Sequence, residues 1–192
     1  MRAPQWQAGW LTAARKTPSP NADERPAGVA TDLVVIHHIS LPPGHFAGPA
    51  IEALFCNRLD CASDPAFESL DGLTVSSHFL IRRHGQLQQF VDVERRAWHA
   101  GQSSFQDRTR CNDFSIGIEL EGDLLRPFTN RQYQRLEFLL TVLAERLPLK
   151  FIAGHSEIAP GRKFDPGPLF DWSRLHKVSS ATGLKRPYGA DC

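Results

Sequence analysis

The feature that most constrains the fold is a run of four large aliphatic residues, Leu33 to Ile36, which follows a stretch rich in proline, glycine and charge. Three of the four are β-branched. A run of this length and composition is typical of a strand that is covered on both faces. Such strands occur at the centre of sheets that carry helices on both sides. The run therefore predicts an α/β fold with a central mixed β-sheet flanked by helices.

Two further segments supply strands for this sheet. The runs 75–81 and 87–93 flank a turn that contains Gly85, and this arrangement predicts a β-hairpin. Another strand is predicted over 114–120, where aliphatic residues alternate with small or polar ones. Because successive strand residues face opposite sides, Glu119 is expected to point away from the aliphatic side.

The remaining pattern predicts helices that cover the sheet. Thr129 and Gln132 have the spacing of a capping box, and apolar residues recur at helical intervals from there to Pro148. A short helix is predicted just after Pro49, which suits a first helical turn. One more short strand is predicted over 149–153.

The chain divides into one main domain and two short flanks. We find no internal repeat and no shift in composition within its 192 residues, and this length is compatible with one domain. We expect an N-terminal arm at 1–28 that wraps the domain, the domain itself at 29–180, and a C-terminal tail at 181–192.

Charge and hydropathy exclude two classes of partner. The 22 Lys and Arg residues against 21 Asp and Glu residues leave a formal net charge of +1, which is too small to favour a phosphate backbone. No segment approaches the roughly 20 consecutive apolar residues of a membrane-spanning helix. We therefore expect neither a nucleic-acid partner nor a membrane.

The N-terminus and the cysteines bear on the compartment. The first 20 residues lack the apolar core of a secretory signal, so we expect a cytoplasmic protein. The absence of acidic residues before Asp23 leaves an organellar transit peptide as an alternative, although several prolines disfavour the amphipathic helix that it needs. The cysteines have no tight paired spacing and are predicted to be free thiols: Cys56, Cys61, Cys111 and Cys192.

The candidate chemistry lies at strand ends. His37 and His38 close the buried run, and only one of them can face a given site. His155 follows the last predicted strand and opens a long irregular segment, in which Asp165 comes ten residues later. Two imidazoles and one carboxylate are a common ligand set for catalytic zinc, with the fourth position left to water. The alternative for each histidine is an ordinary hydrogen-bonded residue.

Two charged residues lie near these candidate ligands. Glu119 projects from a predicted strand, and Lys163 lies two residues before Asp165. A carboxylate is the base that a zinc hydrolase needs, and a cation stabilises an oxyanion. The alternatives are a salt bridge for Glu119 and a solvated loop charge for Lys163. The other histidines in polar contexts are expected at the surface: His45, His84 and His176.

Four segments in the order of the chain carry a family resemblance. They are Val34–Gly44 (VVIHHISLPPG), Arg96–Gly101 (RAWHAG), Cys111–Gly122 (CNDFSIGIELEG) and Gly154–Pro168, the last of which contains Arg162-Lys163-Phe164-Asp165. Together they resemble the zinc-dependent N-acetylmuramoyl-L-alanine amidases, which are related to peptidoglycan recognition proteins. The resemblance extends from about Trp10 to Trp172.

The resemblance implies a role for each matched residue. The zinc ligands would be His37, His155 and Asp165. The catalytic residues would be Glu119, which activates the water, and Lys163, which stabilises the oxyanion. The substrate-contacting residues would be Trp98, Arg110 and His38. His99 is expected to be structural, with its backbone near the groove. Two positions depart from the family pattern, His38 in place of the usual Asn and Thr74 in place of an Arg, so substrate contacts are expected to differ there.

The activity implied by the resemblance is zinc-dependent hydrolysis of a muropeptide. The bond cleaved would join the lactyl group of (1,6-anhydro)-N-acetylmuramic acid to L-alanine, in the recycling of cell-wall fragments. We expect a monomer with Zn²⁺ as cofactor and a small muropeptide as substrate. The alternatives are an amidase that acts on intact peptidoglycan and a recognition module that binds peptidoglycan without cutting it.

Overall fold

The computed structural model describes residues 5–188, and the elements within that range follow in chain order. The strands are β1 (Trp6–Gln7), β2 (Trp10–Leu11), β3 (Arg15–Lys16), β4 (Ala22–Asp23), β5 (Leu33–Ile39), β6 (Phe79–Ile81), β7 (Leu87–Gln89), β8 (Arg96–Ala97), β9 (Ser104–Phe105), β10 (Arg108–Thr109), β11 (Ser115–Glu121) and β12 (Phe151–Gly154). The α-helices are α1 (Ala50–Phe55), α2 (Asn130–Arg146), α3 (His155–Ile158) and α4 (His176–Thr182). Short 3₁₀ helices span Pro65–Leu70, Cys111–Asp113 and Trp172–Leu175.

The main sheet has six strands in the order β12-β5-β11-β6-β7-β3. The neighbours β12, β5, β11 and β6 run parallel, β7 is antiparallel to β6, and β3 is parallel to β7. The prediction of a central mixed sheet with flanking helices is confirmed. The run that begins at Leu33 lies in the middle of this sheet, as its composition predicts, and its strand continues to Ile39.

The two faces of the sheet have different coverings. Val34 and Ile36 face the larger core, to which β11 contributes its aliphatic residues and α2 its leucines. Leu33 and Val35 face a smaller cluster that includes Ala100. Since β5 and β11 are in parallel register, residues paired across them lie on the same face. The smaller cluster therefore forms the floor beneath the candidate catalytic residues.

The predicted helices and hairpin are confirmed, with shorter strands than expected. The capping box of Thr129 and Gln132 is present at the start of α2, and α1 begins directly after Pro49. In the hairpin, Gly85 adopts a positive φ of 86°. Strand β6 begins only at Phe79 because Ser76, within the predicted strand, bonds instead to the backbone of Trp98.

The described part of the predicted arm, residues 5–28, follows the edge of the sheet. Strand β3 adds to β7, and β4 pairs with β8. The largely buried guanidinium of Arg25 donates hydrogen bonds to the backbone carbonyls of Asn112 and Ser115, which fastens the arm beneath β11. At the other end, Lys185 exchanges backbone hydrogen bonds with Lys150 and Ile152 beside β12.

The cysteine prediction is confirmed where the structure describes the chain, since Cys56, Cys61 and Cys111 are free. Cys192 lies outside the described residues, as do the first four residues of the arm and the last four of the tail. Within 5–188, no helix combines the length and the apolar character needed to cross a bilayer.

Candidate active site

The carboxyl ends of three adjacent parallel strands bring the candidate residues together. His37 and Glu119 are paired neighbours in the register of β5 and β11, so their side chains share one face. Gly154 closes β12 beside Ile36, and His155 follows it. This is the edge at which open α/β sheets present ligand-binding groups.

Three donor atoms converge at this edge. The Nδ1 atoms of His37 and His155 are 2.9 Å apart, and each lies 3.0 Å from Oδ2 of Asp165. Both histidines are buried. Of the adjacent pair, His37 contributes a donor atom to this cluster and His38 does not.

The donor set fits a tetrahedral zinc ion. Ligand atoms at zinc–nitrogen and zinc–oxygen distances lie about 3.3 Å from one another in a tetrahedral site, close to the separations found between His37, His155 and Asp165. If neither Nδ1 atom carried a proton, their lone pairs would point at each other across 2.9 Å. The arrangement therefore calls for a cation or a proton between them. Two imidazoles and a carboxylate are the ligand types that zinc accepts.

Neighbouring groups hold the other nitrogen of each histidine. His155 Nε2 lies 3.2 Å from the carbonyl oxygen of Ala100, and His37 Nε2 lies 3.0 Å from Nδ1 of His99. Burial, reinforced by the neighbouring His155, lowers the pKa of His37 to about 4. The ring is therefore neutral at pH 7 and available as a ligand.

The backbone fixes Asp165 in this arrangement. The amide of Ser156, in the first turn of α3, donates to the carbonyl oxygen of Asp165 at 2.8 Å. Burial alone would raise the pKa of the Asp165 carboxyl, but hydrogen bonds to His155 and His37 hold that pKa below its usual range. The segment after His155 was predicted to be irregular. It begins instead with the short helix α3, because the side chain of Glu157 accepts from the amide of Gly154 at 2.6 Å.

Glu119 is buried beside this cluster. Its Oε2 atom has no hydrogen-bond partner, and no salt bridge to Glu119 occurs among residues 5–188. Burial raises the pKa of Glu119 well above its usual value, the Asp165 carboxylate adds to the increase, and the positive charge of Lys163 opposes it. The salt-bridge alternative for Glu119 is therefore not what the structure contains.

Lys163 lies close enough to act on two groups of the site. The pKa of His37 is lowered mainly by burial and by His155, and the charge of Lys163 lowers it further. The pKa of Glu119 is raised mainly by burial, and the charge of Lys163 opposes that increase. Lys163 is half-buried, in the loop that ends at Asp165. Its location is compatible with the predicted interaction with an oxyanion.

The predicted substrate-contacting residues lie outside the three-residue cluster. Nδ1 of the half-buried His38 lies 3.1 Å from the carbonyl oxygen of Pro166. Arg110 has a largely exposed side chain, pairs with Asp113 at 3.2 Å and lines a surface cleft together with Arg162.

Trp98 contacts the arm and the neighbouring loop. Its backbone amide donates to Ser76 Oγ at 3.0 Å. The pKa of Asp23 is lowered chiefly by its hydrogen bond with Arg96, and a hydrogen bond with Trp98 contributes further. Thr74, the second departure from the family pattern, is exposed. The substrate roles of Trp98, Arg110 and His38 stay predictions.

His99 was expected to be structural, with its backbone near the groove. The contact between its ring and His37 was not predicted. The short His-Ala-Gly segment carries no spacing signal for such a contact, because the partners are 62 residues apart. The one available signal was a small residue opposite it, Gly117, over which the ring lies.

The surface histidines are exposed as predicted, and one of the free cysteines, Cys111, is buried. The exposed histidines are His45, His84 and His176. Burial raises the pKa of the Cys111 thiol, and its side chain is fully covered. A thiolate nucleophile at this position is therefore disfavoured.

Comparison with known proteins identifies relatives over most of the chain. The family model described as N-acetylmuramoyl-L-alanine amidase matches residues 27–168. The 1,6-anhydro-N-acetylmuramyl-L-alanine amidase AmpD of Enterobacter cloacae is 50% identical over 179 residues, which are 92% of this chain and 96% of that protein.

Solved structures give the same result. The crystal structure of a selenomethionine AmpD derivative has a TM-score of 0.87 at 49% identity and covers 91% of this chain and 98% of its own. The amidase AmiD from E. coli, in complex with anhydro-N-acetylmuramic acid-L-Ala-D-gamma-Glu-L-Lys, has a TM-score of 0.58 at 30% identity, with 82% of this chain and 61% of that chain covered.

Proposed function

This chain belongs to the N-acetylmuramoyl-L-alanine amidase family, and we propose that it hydrolyses the amide bond between the lactyl group of 1,6-anhydro-N-acetylmuramic acid and L-alanine in muropeptides. The reaction would serve the recycling of cell-wall fragments. The observation that carries the proposal is the convergence of His37, His155 and Asp165 within 3.0 Å, beside the buried Glu119, whose Oε2 has no hydrogen-bond partner among residues 5–188.

Zn²⁺ is the proposed cofactor, held by His37 Nδ1, His155 Nδ1 and Asp165 Oδ2. A zinc ion bound there would supply Lewis acidity and lower the pKa of a water molecule toward about 7. With three protein ligands, a zinc ion bound there would retain a position for water, as catalytic zinc sites do.

Glu119 is the proton carrier in this proposal. Its free Oε2 accepts the proton of the attacking water as the oxygen adds to the amide carbonyl. Glu119 then donates this proton to the L-alanine nitrogen as the carbon–nitrogen bond breaks, which returns Glu119 to the carboxylate form. No covalent enzyme intermediate is needed, since neither a serine nor a cysteine nucleophile takes part.

Lys163 stabilises the negative charge that develops on the carbonyl oxygen. The loop that carries it is anchored at Asp165, and the backbone amide of Lys163 itself donates to the carbonyl oxygen of Ala159. A preorganised charge of this kind is worth more in a water-excluded site than in bulk water, and loss of one oxyanion stabiliser typically costs about 2.7 to 4 kcal/mol.

The substrate residues and the wider organisation complete the proposal. Trp98, Arg110 and His38 contact the muropeptide, and the departures at His38 and Thr74 alter its preferred sugar or stem peptide. The protein acts as a monomer in the cytoplasm. Residues 29–180 form the catalytic domain, flanked by the arm at 1–28 and the tail at 181–192. Light scattering on the purified chain should give a mass near the 21.5 kDa of one copy.

A pair of matched variants tests the function. His37→Ala should lose both zinc and hydrolysis of anhydro-muropeptide. His38→Ala should keep stoichiometric zinc, because His38 and His37 are adjacent strand residues and face opposite sides of the sheet. Equal zinc content in the two variants would contradict the assignment.

The choice of substrate separates the alternatives. The wild-type enzyme should release stem peptide from anhydro-muropeptide much faster than from intact sacculi. Faster release from sacculi would identify an amidase of intact peptidoglycan. Binding without release from either substrate would identify a recognition module.

A further inference from the structure

The ring of His99 is held in one place by its surroundings. It lies over Gly117 of β11 so closely that a Cβ at that position would come within 2.5 Å of its Cγ. Its backbone is fixed as well, because the amides of His99 and Ala100 both donate to Oδ1 of Asn112, at 3.1 and 2.8 Å. The contacts of this ring therefore reflect a defined position in the fold.

A line of hydrogen bonds passes through this ring. Ser115 Oγ lies 2.6 Å from the carbonyl oxygen of Cys111 and 3.2 Å from Nε2 of His99. On the other side of the ring, His99 Nδ1 lies 3.0 Å from Nε2 of His37. The line thus begins at a backbone carbonyl and ends at a proposed zinc ligand.

The chemistry of the groups sets the direction of every bond in the line. The carbonyl oxygen of Cys111 can only accept, so the single proton of the Ser115 hydroxyl is donated to it. Ser115 Oγ is then an acceptor for His99, which must carry its proton on Nε2. A neutral imidazole has one N–H, so His99 Nδ1 accepts.

The last bond determines the tautomer of the ligand. His99 Nδ1 accepts from His37, so the His37 proton is on Nε2 and its Nδ1 presents a lone pair. That Nδ1 is the atom that faces His155 and Asp165. We propose that His99, oriented by Ser115, is a positioning residue that fixes His37 in the tautomer that binds the metal. This inference rests on the metal site of the proposed function.

The other histidine ligand shows why such a residue is needed. His155 Nε2 faces the backbone carbonyl of Ala100, a pure acceptor that fixes the His155 tautomer directly. The partner of His37 is an imidazole, which can donate or accept. Only the contact with Ser115 makes Nδ1 of His99 an acceptor, so Ser115 is as necessary as His99 for positioning His37.

Zinc affinity of three variants tests this role. His99→Leu removes the acceptor and should weaken zinc binding by about 10-fold to 100-fold in a chelator competition, the usual effect of losing a partner of a ligating histidine. His99→Asn offers an amide oxygen near the former Nδ1 and should lose less than about 10-fold. Ser115→Ala should lose roughly 2-fold to 10-fold, the equivalent of one net hydrogen bond.

A spectroscopic readout separates positioning from simple packing. In protein with ¹⁵N-labelled histidine, long-range proton–nitrogen spectra should show His99 with a proton on Nε2 and none on Nδ1, with or without zinc. The His99→Asn spectrum assigns the signal. A proton on His99 Nδ1 in the wild-type protein would overturn the proposal, whatever the variants do.

The affinity results have equally definite meanings. Unchanged zinc binding in His99→Leu, or equal losses in the Leu and Asn variants, would reduce His99 to a packing residue and overturn the proposal. If His99→Leu does not fold, wild-type affinity in Ser115→Ala overturns it instead. Absence of zinc from the wild-type protein would contradict the proposed function, which is a different outcome from any of these.

Discussion

Replacement of Glu119 by glutamine tests the proposed chemistry while preserving the shape of the side chain. The carboxyl is buried, and its Oε2 has no hydrogen-bond partner within the described part of the chain. Gln has nearly the same volume but cannot take a proton from water. Loss of a general base typically slows turnover by about 10² to 10⁴, which corresponds to roughly 2.7 to 5.4 kcal/mol in the activation free energy.

The same variant should increase the stability of the metal-free protein in a pH-dependent way. Burial raises the pKa of Glu119 in the folded state above its unfolded value. Its contribution to stability is therefore fully present below the unfolded-state pKa and is lost as the pH rises through the folded-state pKa. Glutamine cannot ionise, so the metal-free variant should exceed the metal-free wild type in stability at neutral and higher pH. Near pH 4 the two should converge.

Three assays test this reasoning, two on the zinc-loaded proteins and one on the metal-free proteins. Zinc analysis and anhydro-muropeptide turnover should show a variant that retains its metal and loses at least 100-fold in kcat, as expected for a general base. Urea unfolding of the metal-free proteins at several pH values should show a larger free energy of unfolding for the variant at neutral and higher pH. Near wild-type turnover in a folded, zinc-loaded Glu119→Gln protein would refute the role of Glu119, and a loss of stability at high pH would refute its placement as a buried, unpaired acid.

Two other substitutions and one labelling experiment test the roles of Lys163 and of the cysteines. Lys163→Met should lower kcat by about 10² with little change in KM or zinc affinity, because its charge acts on the transition state; steady-state kinetics would contradict this if KM rose while kcat stayed constant. Cys111→Ala should keep full specific activity and lose about 1 kcal/mol in unfolding free energy, and loss of activity in the folded variant would revive a thiol nucleophile. In the native protein, a thiol reagent should modify Cys56 and Cys61 well before the buried Cys111.

Local patterns predicted the frame of this site well. The aliphatic run at Leu33 identified the central strand, and strand alternation showed that only one of the adjacent histidines enters the cluster. The predicted strand over 114–120 placed Glu119 on the face opposite the aliphatic residues, where the structure has it. The last two features depend on the strand period of two residues, and the first depends on a continuous aliphatic run; both patterns are visible in the sequence.

Contacts between distant segments were harder to predict. The ring of His99 reaches His37 across 62 residues, and only the packed sheet shows that it lies over Gly117. Arg25 looked like one more charge in a polar arm, yet it donates to carbonyls about 90 residues away. The three-ligand cluster itself comes from separate segments with no local spacing rule. Its assignment from sequence depended on family resemblance.

The most direct test of the central claim is metal removal and restoration with product analysis. The purified protein is stripped with a chelator and titrated with zinc, and hydrolysis of anhydro-muropeptide is followed by mass spectrometry. Activity should vanish on stripping and return in proportion to zinc, with saturation at one equivalent per chain and products that are the anhydro-sugar and a peptide with a free L-alanine amine. Full activity in the stripped protein, or cleavage at any other bond, would contradict the account.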